Sequence, residues 1–213
     1  MSLLFFFKAG YLLFIYEIKQ VKKGILFVVS APSGTGKTTI VNHICQIFAS
    51  YGCLERVITY TTRKPRIGEI HQQDYVFVNE QEFKDLIEKH FFLEWSTAYG
   101  AWYGSPITLL DRLAQGISQM LIVDQTGAHT VMKEVPEAVS IWLFPKDMTT
   151  LKERLYKRNL EDYKAIKQRI ELAFYEIECE ERDKFFVYHI VNDEFQKACA
   201  DVIRIIADHI SIE

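Results

Sequence analysis

The clearest chemical signal in the sequence is a glycine-rich segment that reads Ala31-Pro32-Ser33-Gly34-Thr35-Gly36-Lys37-Thr38. An apolar run at 25–29 precedes it, and apolar residues at helical spacing follow it. A strand, a glycine-rich turn ending in Gly-Lys-Thr and a helix form the context that a phosphate-binding P-loop requires. In such a loop the backbone N–H groups converge on phosphate oxygens, Lys37 reaches the β- and γ-phosphates, and Thr38 ligates Mg²⁺. Ala31 departs from the motif, because it stands where the first glycine belongs.

The elements that must hold this loop follow the pattern of an α/β fold. The run at 25–29 is continuously apolar, as in a parallel strand that is buried on both faces. Similar runs occur at 120–123, 139–144 and 187–191, and helical patterns alternate with them. Alternating strands and helices predict a parallel sheet flanked by helices.

Two helices have recognisable ends in the sequence. Asn79 and Glu82 have the spacing of a capping box for a helix that runs to Lys89. Pro106 is expected in the first turn of another helix, which Gly116 closes.

The segment 147–169 is highly charged and helical in pattern, without a strong strand, which is the profile of a mobile flap. Further along, acidic residues alternate with Arg182 and Lys184 and are expected to form a solvated helix face. They are Glu176, Glu178, Glu180 and Glu181.

Residues 58–106 have a different pattern of short strands, turns and one helix, which predicts an inserted lobe. Within it, Arg63 and Arg66 are three residues apart in a segment that contains a proline and a glycine. A planar guanidinium fork suits a phosphate dianion better than a lysine does. A solvated basic loop would contain the same pair, so the arginines alone leave both interpretations open.

Several segments together resemble the guanylate kinase family over roughly 24–212. They are the phosphate loop from Ser30 to Thr38, Thr61-Thr62-Arg63-Lys64-Pro65-Arg66 with Gly68-Glu69, Asp74-Tyr75-Val76-Phe77-Val78, Leu93-Glu94, Tyr103-Gly104-Ser105 and Ile190-Val191-Asn192-Asp193. The resemblance implies a P-loop nucleoside monophosphate kinase fold with an inserted GMP-binding lobe and a helical lid. It also implies Mg²⁺-dependent transfer of the γ-phosphoryl group of ATP to GMP, giving ADP and GDP. Ala31 is acceptable within this family.

The resemblance assigns a role to each matching residue. The implied ATP site comprises Ala31, Pro32, Ser33, Gly34, Thr35, Gly36, Lys37, Thr38, Thr39 and Asn192, with Thr38 on the metal. The implied GMP site comprises Thr59, Arg63, Arg66, Glu69, Tyr75, Glu94, Tyr103, Ser105 and Asp124. The implied catalytic cations are Lys37, Arg154, Arg158 and Arg169.

Base recognition in this scheme depends on hydrogen-bonding chemistry. Glu94 would accept hydrogen bonds from N1–H and N2–H₂ of guanine, and Ser105 would donate to O6. Adenine presents an unprotonated N1 at the same edge, so a carboxylate there favours guanine. Thr59 would lie near the guanine, and Asn192 beside the adenine of ATP. Arg63, Arg66, Tyr75 and Tyr103 would bind the GMP phosphate, with Glu69 supporting the arginines.

A few positions depart from the family pattern. Ile122 stands where an Asp-x-Asp-x-x-Gly segment has its first aspartate, so only Asp124 of the pair remains. Strand alternation would place Asp124 on the same face as Ile122, available to the water shell of Mg²⁺. Thr126 replaces a usual glutamine. Asn159 follows Arg158 where glycine is usual, so lid bending is expected to differ.

The resemblance divides the chain into an extension, four core and lobe segments and a lid. These are 1–23 (extension), 24–57 (core with P-loop), 58–106 (GMP-binding lobe), 107–148 (core), 149–170 (lid) and 171–213 (core).

Composition limits the partners and the compartment. Lys and Arg number 25 against 28 Asp and Glu, a net charge of −3 that excludes a charge-driven nucleic-acid binder. The four cysteines are widely spaced, which predicts reduced thiols in a cytoplasm rather than disulfides or a zinc site. The apolar stretch at 3–16 contains Lys8 and falls short of the ~20 residues that span a bilayer, so stable insertion is not expected. A packed extension and a membrane-surface anchor both remain open, as does the oligomeric state.

Two other functions fit parts of the pattern. A guanylate-kinase-like binding module would share the fold but typically lack the phosphate loop. A sugar-phosphate kinase of related fold would not need Glu94 and Ser105 together. The intact Gly36-Lys37-Thr38 and the pair of base-reading residues favour the GMP kinase.

Overall fold

The computed structural model describes residues 24–98, 100–157 and 163–210. Its strands are β1 (Leu26–Ser30), β2 (Leu54–Arg56), β3 (Tyr60–Thr61), β4 (Val76–Phe77), β5 (Phe92–Ala98), β6 (Ala101–Pro106), β7 (Ser118–Ile122), β8 (Val139–Pro145) and β9 (Tyr188–Asn192). Its α-helices are α1 (Lys37–Phe48), α2 (Glu80–Glu88), α3 (Leu109–Ala114), α4 (Gln125–Glu134), α5 (Met148–Lys157), α6 (Tyr163–Asp183) and α7 (Phe195–Ile210). The predicted extension at 1–23 and Arg158 lie outside the described residues. Within these residues, no helix combines the length and the apolar character needed to cross a membrane.

The centre of the molecule is a parallel sheet with strand order β2-β7-β1-β8-β9. Alternate residues of β1 enter opposite cores. Phe27 and Val29 pack with residues of α1 and α7, whereas Leu26 and Val28 pack with residues of α3 and α4. The strand is therefore buried on both faces, which is why its sequence is continuously apolar. The predicted parallel sheet flanked by helices is confirmed.

The phosphate loop connects the carboxyl end of β1 to the first turn of α1. Gly34 and Gly36 have φ angles of +90° and +100°, where side chains other than glycine are strained. A Cβ atom on Gly36 would also lie 2.9 Å from the side-chain nitrogen of Asn192. The loop is thus at the edge of the sheet where open α/β folds bind their ligands.

Residues 58–106 contain a second sheet, with strand order β4-β3-β6-β5. The predicted capping box at the start of α2 is confirmed: Asn79 accepts from the Glu82 N–H at 2.8 Å, and Glu82 accepts from the Asn79 N–H at 2.9 Å. Phe83 of α2 is fully buried and stacks on Phe92 of β5, with ring centroids 4.6 Å apart. This aromatic contact fixes the helix on the strands that carry the predicted GMP residues.

The prediction that Pro106 opens a helix is wrong. Pro106 ends β6, where it pairs with Phe92 of β5, and α3 begins only at Leu109. A proline is tolerated at the end of a strand because the ladder loses few hydrogen bonds there. Gly116 does follow the helix, with a φ angle of +81°.

The charged segment after β8 forms α5 and α6, so its predicted helical character is confirmed. Helix α6 continues without interruption past 170, where the predicted lid ends, and the division into lid and core stays a prediction. The prediction of a solvated acidic face is wrong for two residues, because Glu176 is 7% exposed and Glu180 is fully buried. Glu180 lies 2.7 Å from Nε2 of His189. Helical periodicity turns these two acids inward while their charged neighbours face solvent.

Substitution at the capping box tests how much Asn79 stabilises the start of α2. We expect Asn79→Ala to lower the free energy of unfolding by about 1 kcal/mol, because the Glu82 N–H loses its acceptor at the start of α2. Chemical denaturation monitored by far-UV circular dichroism measures the change. Glu88→Ala, at an exposed position of the same helix, is the control and should change stability by less than about 0.5 kcal/mol. Equal effects of the two substitutions would contradict the capping role.

Candidate active site

A cavity lies at the carboxyl ends of β1 and β7, between the phosphate loop, residues 58–106 and α6. Most of the predicted site residues line it, namely Ala31, Pro32, Ser33, Gly34, Gly36, Lys37, Thr38, Thr39, Thr59, Arg63, Arg66, Tyr75, Glu94, Tyr103, Asp124 and Arg169. The structure therefore brings the residues predicted for two nucleotides to one cavity.

Other predicted residues lie behind the wall and contact residues that line it or the phosphate loop. These are Thr35, Glu69, Ser105, Arg154 and Asn192. Arg158 is outside the described residues, so its predicted role is untested. The roles of all these residues toward a nucleotide stay predictions.

The phosphate loop is supported from within and from the lid. The Lys37 ammonium donates to the carbonyl oxygen of Ala31 and lies 3.4 Å from that of Pro32. The carbonyl oxygen of Thr35 accepts a hydrogen bond from the Asn192 amide at 2.6 Å and one from Arg154 at 3.3 Å. In this structure Asn192 therefore supports the phosphate loop, whereas its predicted place beside adenine stays a prediction.

Arg169 of α6 also contacts the phosphate loop. Its guanidinium donates to the Ser33 hydroxyl at 3.2 Å, and its side chain lines the cavity although only 8% of the residue is exposed. Two of the predicted catalytic arginines, Arg154 and Arg169, are thus already held against the loop. A cation that is fixed before the substrate arrives needs no reorganisation when phosphate charge enters.

The arginine pair of the lobe is fixed by Glu69. Both guanidinium ends of Arg63 donate to the Glu69 carboxylate, at 2.8 and 2.9 Å, and the Arg66 N–H donates to it at 2.6 Å. Burial acts to raise the pKa of Glu69, but the hydrogen bonds from Arg63 and Arg66 hold that pKa below its ordinary value. Glu69 therefore stays ionised near neutral pH and supports both arginines, as the resemblance implies.

Two tyrosines flank this cationic region of the cavity. The ring centroids of Tyr75 and Tyr103 are 6.3 Å apart, and the Arg63 guanidinium lies 5.2 Å from the Tyr75 centroid. Burial raises the pKa of the Tyr75 hydroxyl, so this group remains a neutral hydrogen-bond donor near pH 7. A neutral hydroxyl beside a fixed guanidinium group forms a suitable surface for a phosphate dianion.

Strand pairing brings together Glu94 and Ser105, the two residues predicted to bind the guanine base. Glu94 of β5 is directly opposite Ser105 of β6 in the antiparallel ladder, and the Ser105 hydroxyl donates to Oε1 of Glu94. In this structure Ser105 is therefore bound to Glu94, and donation to a guanine O6 requires its hydroxyl to rotate. The second carboxylate oxygen, Oε2, is buried and has no hydrogen-bond partner among the described residues.

The Glu94 carboxylate is in an unfavourable environment for its charge. Burial raises its pKa to about 7, with a further contribution from the nearby charge of Asp124. Its Oε2 lies over Gly127 of α4, where a Cβ atom would approach within 2.8 Å. Glycine at this position leaves room for the carboxylate, and the unpaired oxygen still lacks a donor that a ligand could supply.

Asp124 reaches the cavity from the cap of a helix and not from the strand that alternation assumed. Strand β7 ends at Ile122, and Asp124 instead caps α4, accepting from the Gly127 N–H at 2.7 Å. Its other oxygen accepts from the Ser96 hydroxyl of β5 at 2.7 Å. Each oxygen thus has one donor and can accept another. Asp124 therefore joins the lobe to the core, and its predicted place near a metal's water shell stays a prediction. Ile122 does line the same cavity, as alternation predicted.

Five residues that were not predicted as site residues also line the cavity: Ser96, Ala98, Ile122, Val123 and Glu176. Three of them could have been found from periodicity. Ser96 and Ala98 follow Glu94 at intervals of two along β5, so they face the same side. Glu176 follows Arg169 at an interval of seven, which places both on one face of α6. The alternating charges around Glu176 predicted a solvent-exposed face and so hid its position beside Arg169.

Glu176 is a second buried acid in the cavity. Burial raises its pKa to about 7, while the charge of Lys37 acts to lower it and that of Asp124 to raise it. Its Oε2 is buried and accepts no hydrogen bond from the residues that the structure describes. The cavity therefore contains two desolvated carboxyl groups, Glu94 on the lobe side and Glu176 on the side of the phosphate loop.

Comparison with known proteins agrees with this geometry. The family model for guanylate kinase matches residues 23–209. The chain is 39% identical over 178 residues to a guanylate kinase of Protochlamydia amoebophila, covering 83% of this chain and 87% of that protein. It is 37% identical over 186 residues to a guanylate kinase of Geobacter sulfurreducens, covering 87% and 89%.

A solved structure shows the same likeness in three dimensions. The crystal structure of guanylate kinase from Anaplasma phagocytophilum matches with a TM-score of 0.73 at 26% identity, covering 90% of this chain and 88% of that one. Because the family model spans most of the chain and the two relatives share more than a third of the aligned residues with it, the chain belongs to the guanylate kinase family of nucleoside monophosphate kinases.

Proposed function

We propose that this protein transfers the γ-phosphoryl group of ATP to GMP, giving ADP and GDP. The observation that carries the proposal is the buried Glu94 carboxylate, with an unpaired oxygen, in the same cavity as the phosphate loop and the Arg63–Glu69 pair. The phosphate loop would hold ATP, and the lobe would hold GMP.

Guanine is the base that matches Glu94. Its N1–H and N2–H₂ form a donor edge that a carboxylate can satisfy, whereas adenine has an acceptor at N1. Binding of guanine would supply the donor that Oε2 lacks, so the energy of an unsatisfied buried acceptor would be recovered only with the correct base. Ser105, after rotating away from Glu94, would donate to O6, and Thr59 would lie near the base.

The phosphate groups would occupy the cationic parts of the cavity. Arg63, Arg66, Tyr75 and Tyr103 would bind the GMP phosphate, and Glu69 would keep the arginines in place. Lys37 would leave the carbonyl of Ala31 and reach the β- and γ-phosphates of ATP.

The nucleophile is an oxygen of the GMP phosphate, which is largely ionised near pH 7, so no strong general base is needed. The main barrier is repulsion between two polyanions. Lys37, Arg154 and Arg169 would neutralise charge on the transferring group, while Arg63 and Arg66 orient the acceptor. Closure of the lobe and the lid over the cavity would exclude water and limit hydrolysis of ATP.

We also propose Mg²⁺ as the metal that accompanies ATP. A nucleotide-bound Mg²⁺ takes most of its ligands from phosphates and water, so few protein ligands are required. The Thr38 hydroxyl on the cavity wall would be a direct ligand, and the unpaired Oε2 of Glu176 is a buried acceptor on the same side of the cavity. When bound, the ion would neutralise phosphate charge and align the transferring group.

The alternatives fit the site less well. A binding module would have no use for a phosphate loop with Lys37 in place and with lid arginines held against it. A sugar-phosphate kinase would gain nothing from the Glu94–Ser105 pair. We place the reaction in the cytoplasm, which is supported by four free cysteines among the described residues, Cys45, Cys53, Cys179 and Cys199.

A substrate panel tests the base assignment. With Mg²⁺-ATP and GMP, AMP, CMP, UMP or ribose phosphates in a coupled assay, we expect kcat/KM for GMP to exceed that for AMP by ~10⁴. Glu94→Gln should reduce kcat/KM for GMP by about 10² or more, because an amide N–H₂ replaces one acceptor facing a guanine donor. Glu178→Gln, at an exposed position of α6, is the control. Equal use of GMP and AMP would rule out the guanine site.

The raised pKa of Glu94 predicts pH-dependent GMP binding. Only the ionised carboxylate accepts both guanine donors, and because the pKa is about 7, this form is depleted as the pH falls below 7. Calorimetric titration should show GMP affinity falling by up to about tenfold per pH unit below 7 and release of up to one proton on binding near pH 6.5. Glu94→Gln should bind GMP weakly and lack this component. The same proton release in the variant would assign the proton to another group.

Lys37→Ala tests the donor site. We expect kcat to fall by about 10³ or more, with about 1.4 kcal/mol of barrier per tenfold, because the ammonium stabilises charge on the transferring phosphoryl group. The dissociation constant of GMP, measured without ATP, should change by less than about twofold. Lys133→Ala, on the exposed side of α4, is the control. Near-normal turnover of Lys37→Ala would contradict the assignment of the phosphate loop.

A further inference from the structure

Arg56 is a half-buried cation that contacts two separate parts of the chain. It is the last residue of β2, at the edge of the central sheet, and does not line the cavity. One end of its guanidinium donates to Oδ1 of Asn42 on α1 at 2.8 Å. The other end donates to the backbone carbonyl oxygen of Asp74 at 2.6 Å.

The two contacted segments carry different halves of the site. Asn42 is on α1, the helix whose first residues are Lys37 and Thr38 of the phosphate loop. Asp74 directly precedes Tyr75, and the Arg56 guanidinium lies 5.8 Å from the centroid of the Tyr75 ring. Arg56 thus spans from the donor-phosphate helix to the loop that presents a phosphate-binding tyrosine.

The bond pattern requires an arginine rather than any cation. The two ends of the planar guanidinium donate in fixed, divergent directions to two acceptors on different segments. A lysine ammonium at the end of a flexible stem is a single donor point and cannot reach both acceptors from this position. The Nε atom of Arg56 is buried without a partner among the described residues, so the side chain is held by its two ends alone.

The two arginines that contact the Tyr75 ring connect it to different parts of the chain. Tyr75 lies between two arginines, with Arg63 at 5.2 Å and Arg56 at 5.8 Å from its ring centroid. Arg63 moves with the lobe, because its partner Glu69 belongs to the same segment. Of these two arginines, Arg56 is the one that ties the loop to the central sheet and to α1.

We propose that Arg56 is a positioning residue that fixes the acceptor-phosphate loop, through Asp74 and Tyr75, at a set distance from the donor-phosphate helix α1. The inference rests on the proposed function, in which Tyr75 binds the GMP phosphate. Loss of the link leaves the donor site intact but lets the Tyr75 loop shift, so that GMP binds less tightly and the two reacting phosphates are less well aligned.

The test compares Arg56→Lys and Arg56→Gln with a matched arginine. Arg112 also bridges to β2, through Glu55, but on the side away from the cavity, so Arg112→Lys is the control. For Arg56→Lys we expect the dissociation constant of GMP to rise about tenfold and kcat to fall about threefold to tenfold. The dissociation constant of ATP should stay within about twofold. Arg56→Gln should have a larger effect on GMP, and Arg112→Lys none.

Asn42→Ala keeps the proposal testable if the Arg56 variants fold poorly. It removes only the contact with α1, so we expect the GMP dissociation constant to rise about twofold to threefold without a change for ATP. Hydrogen exchange should become faster at 70–77 in the Arg56 and Asn42 variants. A purely structural role would instead lower the melting temperature and leave the ratio of GMP to ATP affinity unchanged, which would overturn the inference.

A further variant separates this inference from the proposed function. Arg63→Lys removes the two-pronged contact with Glu69 that holds this cation at the acceptor-phosphate site, and it should raise the GMP dissociation constant about tenfold or more. If Arg63→Lys has this effect and Arg56→Lys leaves GMP binding and kcat unchanged, Arg56 is not a positioning residue and the GMP site stands. If Arg63→Lys leaves GMP binding unchanged, the acceptor site itself is misassigned and the inference about Arg56 fails with it.

Discussion

Three arginines in and beside the cavity are held in place by acceptors of the chain itself, and the rest of the site depends on this arrangement. Arg63 is bound by Glu69, Arg154 by the Thr35 carbonyl and Arg169 by Ser33. Two polyanionic substrates can be brought together only where positive charge is already fixed, because reorienting charges during the reaction would raise its barrier. The glycines of the phosphate loop and the buried amide of Asn192 keep the backbone in the shape that allows these contacts.

The same cavity contains two carboxyl groups whose negative charge is destabilised by burial. Glu94 and Glu176 are desolvated carboxyl groups, each with an unpaired oxygen and a pKa of about 7. Raised pKa values mean that the folded protein binds more protons than the unfolded chain between about pH 4.5 and 7, so both groups contribute less to stability as the pH rises through that range. A ligand that donates to these oxygens, or a cation beside them, removes this penalty. The two unpaired carboxylate oxygens therefore lower the stability of the folded protein, and a ligand that donates hydrogen bonds to them would remove this cost.

Contacts between the lobe and the core determine the relative positions of the two substrate sites. Ser96 of β5 donates to Asp124 at the start of α4, and Glu94 lies over Gly127 of the same helix. On the opposite side, Arg56 of the core donates to the Asp74 carbonyl of the lobe. Two of these contacts are short polar bonds, and the third is the close approach of the Glu94 carboxylate to a glycine. Such a junction can hold a defined geometry and still allow the lobe to move when a nucleotide binds.

Local patterns in the sequence determined the elements and much of the site. The doubly buried β1, the glycines of the phosphate loop, the capping box at Asn79 and the alternating order of strands and helices depend on neighbouring residues, so periodicity and turn chemistry predict them. Of the motif residues that line the cavity, those of the phosphate loop and the arginine pair were found from such local patterns, and the others from the family resemblance.

The errors arose where one local pattern is compatible with two environments. Pro106 could begin a helix or end a strand, and only the pairing of β6 with β5 decides between them. Glu176 and Glu180 have the charge pattern of a solvated face, yet the docking of α6 buries them. Asp124 continues the motif of β7, but the strand ends before it and the residue becomes a helix cap.

The sequence by itself therefore determined the fold class, the phosphate loop and the chemical types of the site residues, because these depend on contacts along the chain. Only the tertiary structure decided which carboxylates are free, since burial and hydrogen-bond partners come from residues far apart in sequence. It placed the hydroxyl of Ser105 on Glu94, gave each oxygen of Asp124 one donor and left Oε2 of Glu176 unpaired. It also brought Arg56 into contact with Asn42 and Asp74. No periodic pattern in the sequence predicts such a contact, because it joins segments that are far apart along the chain.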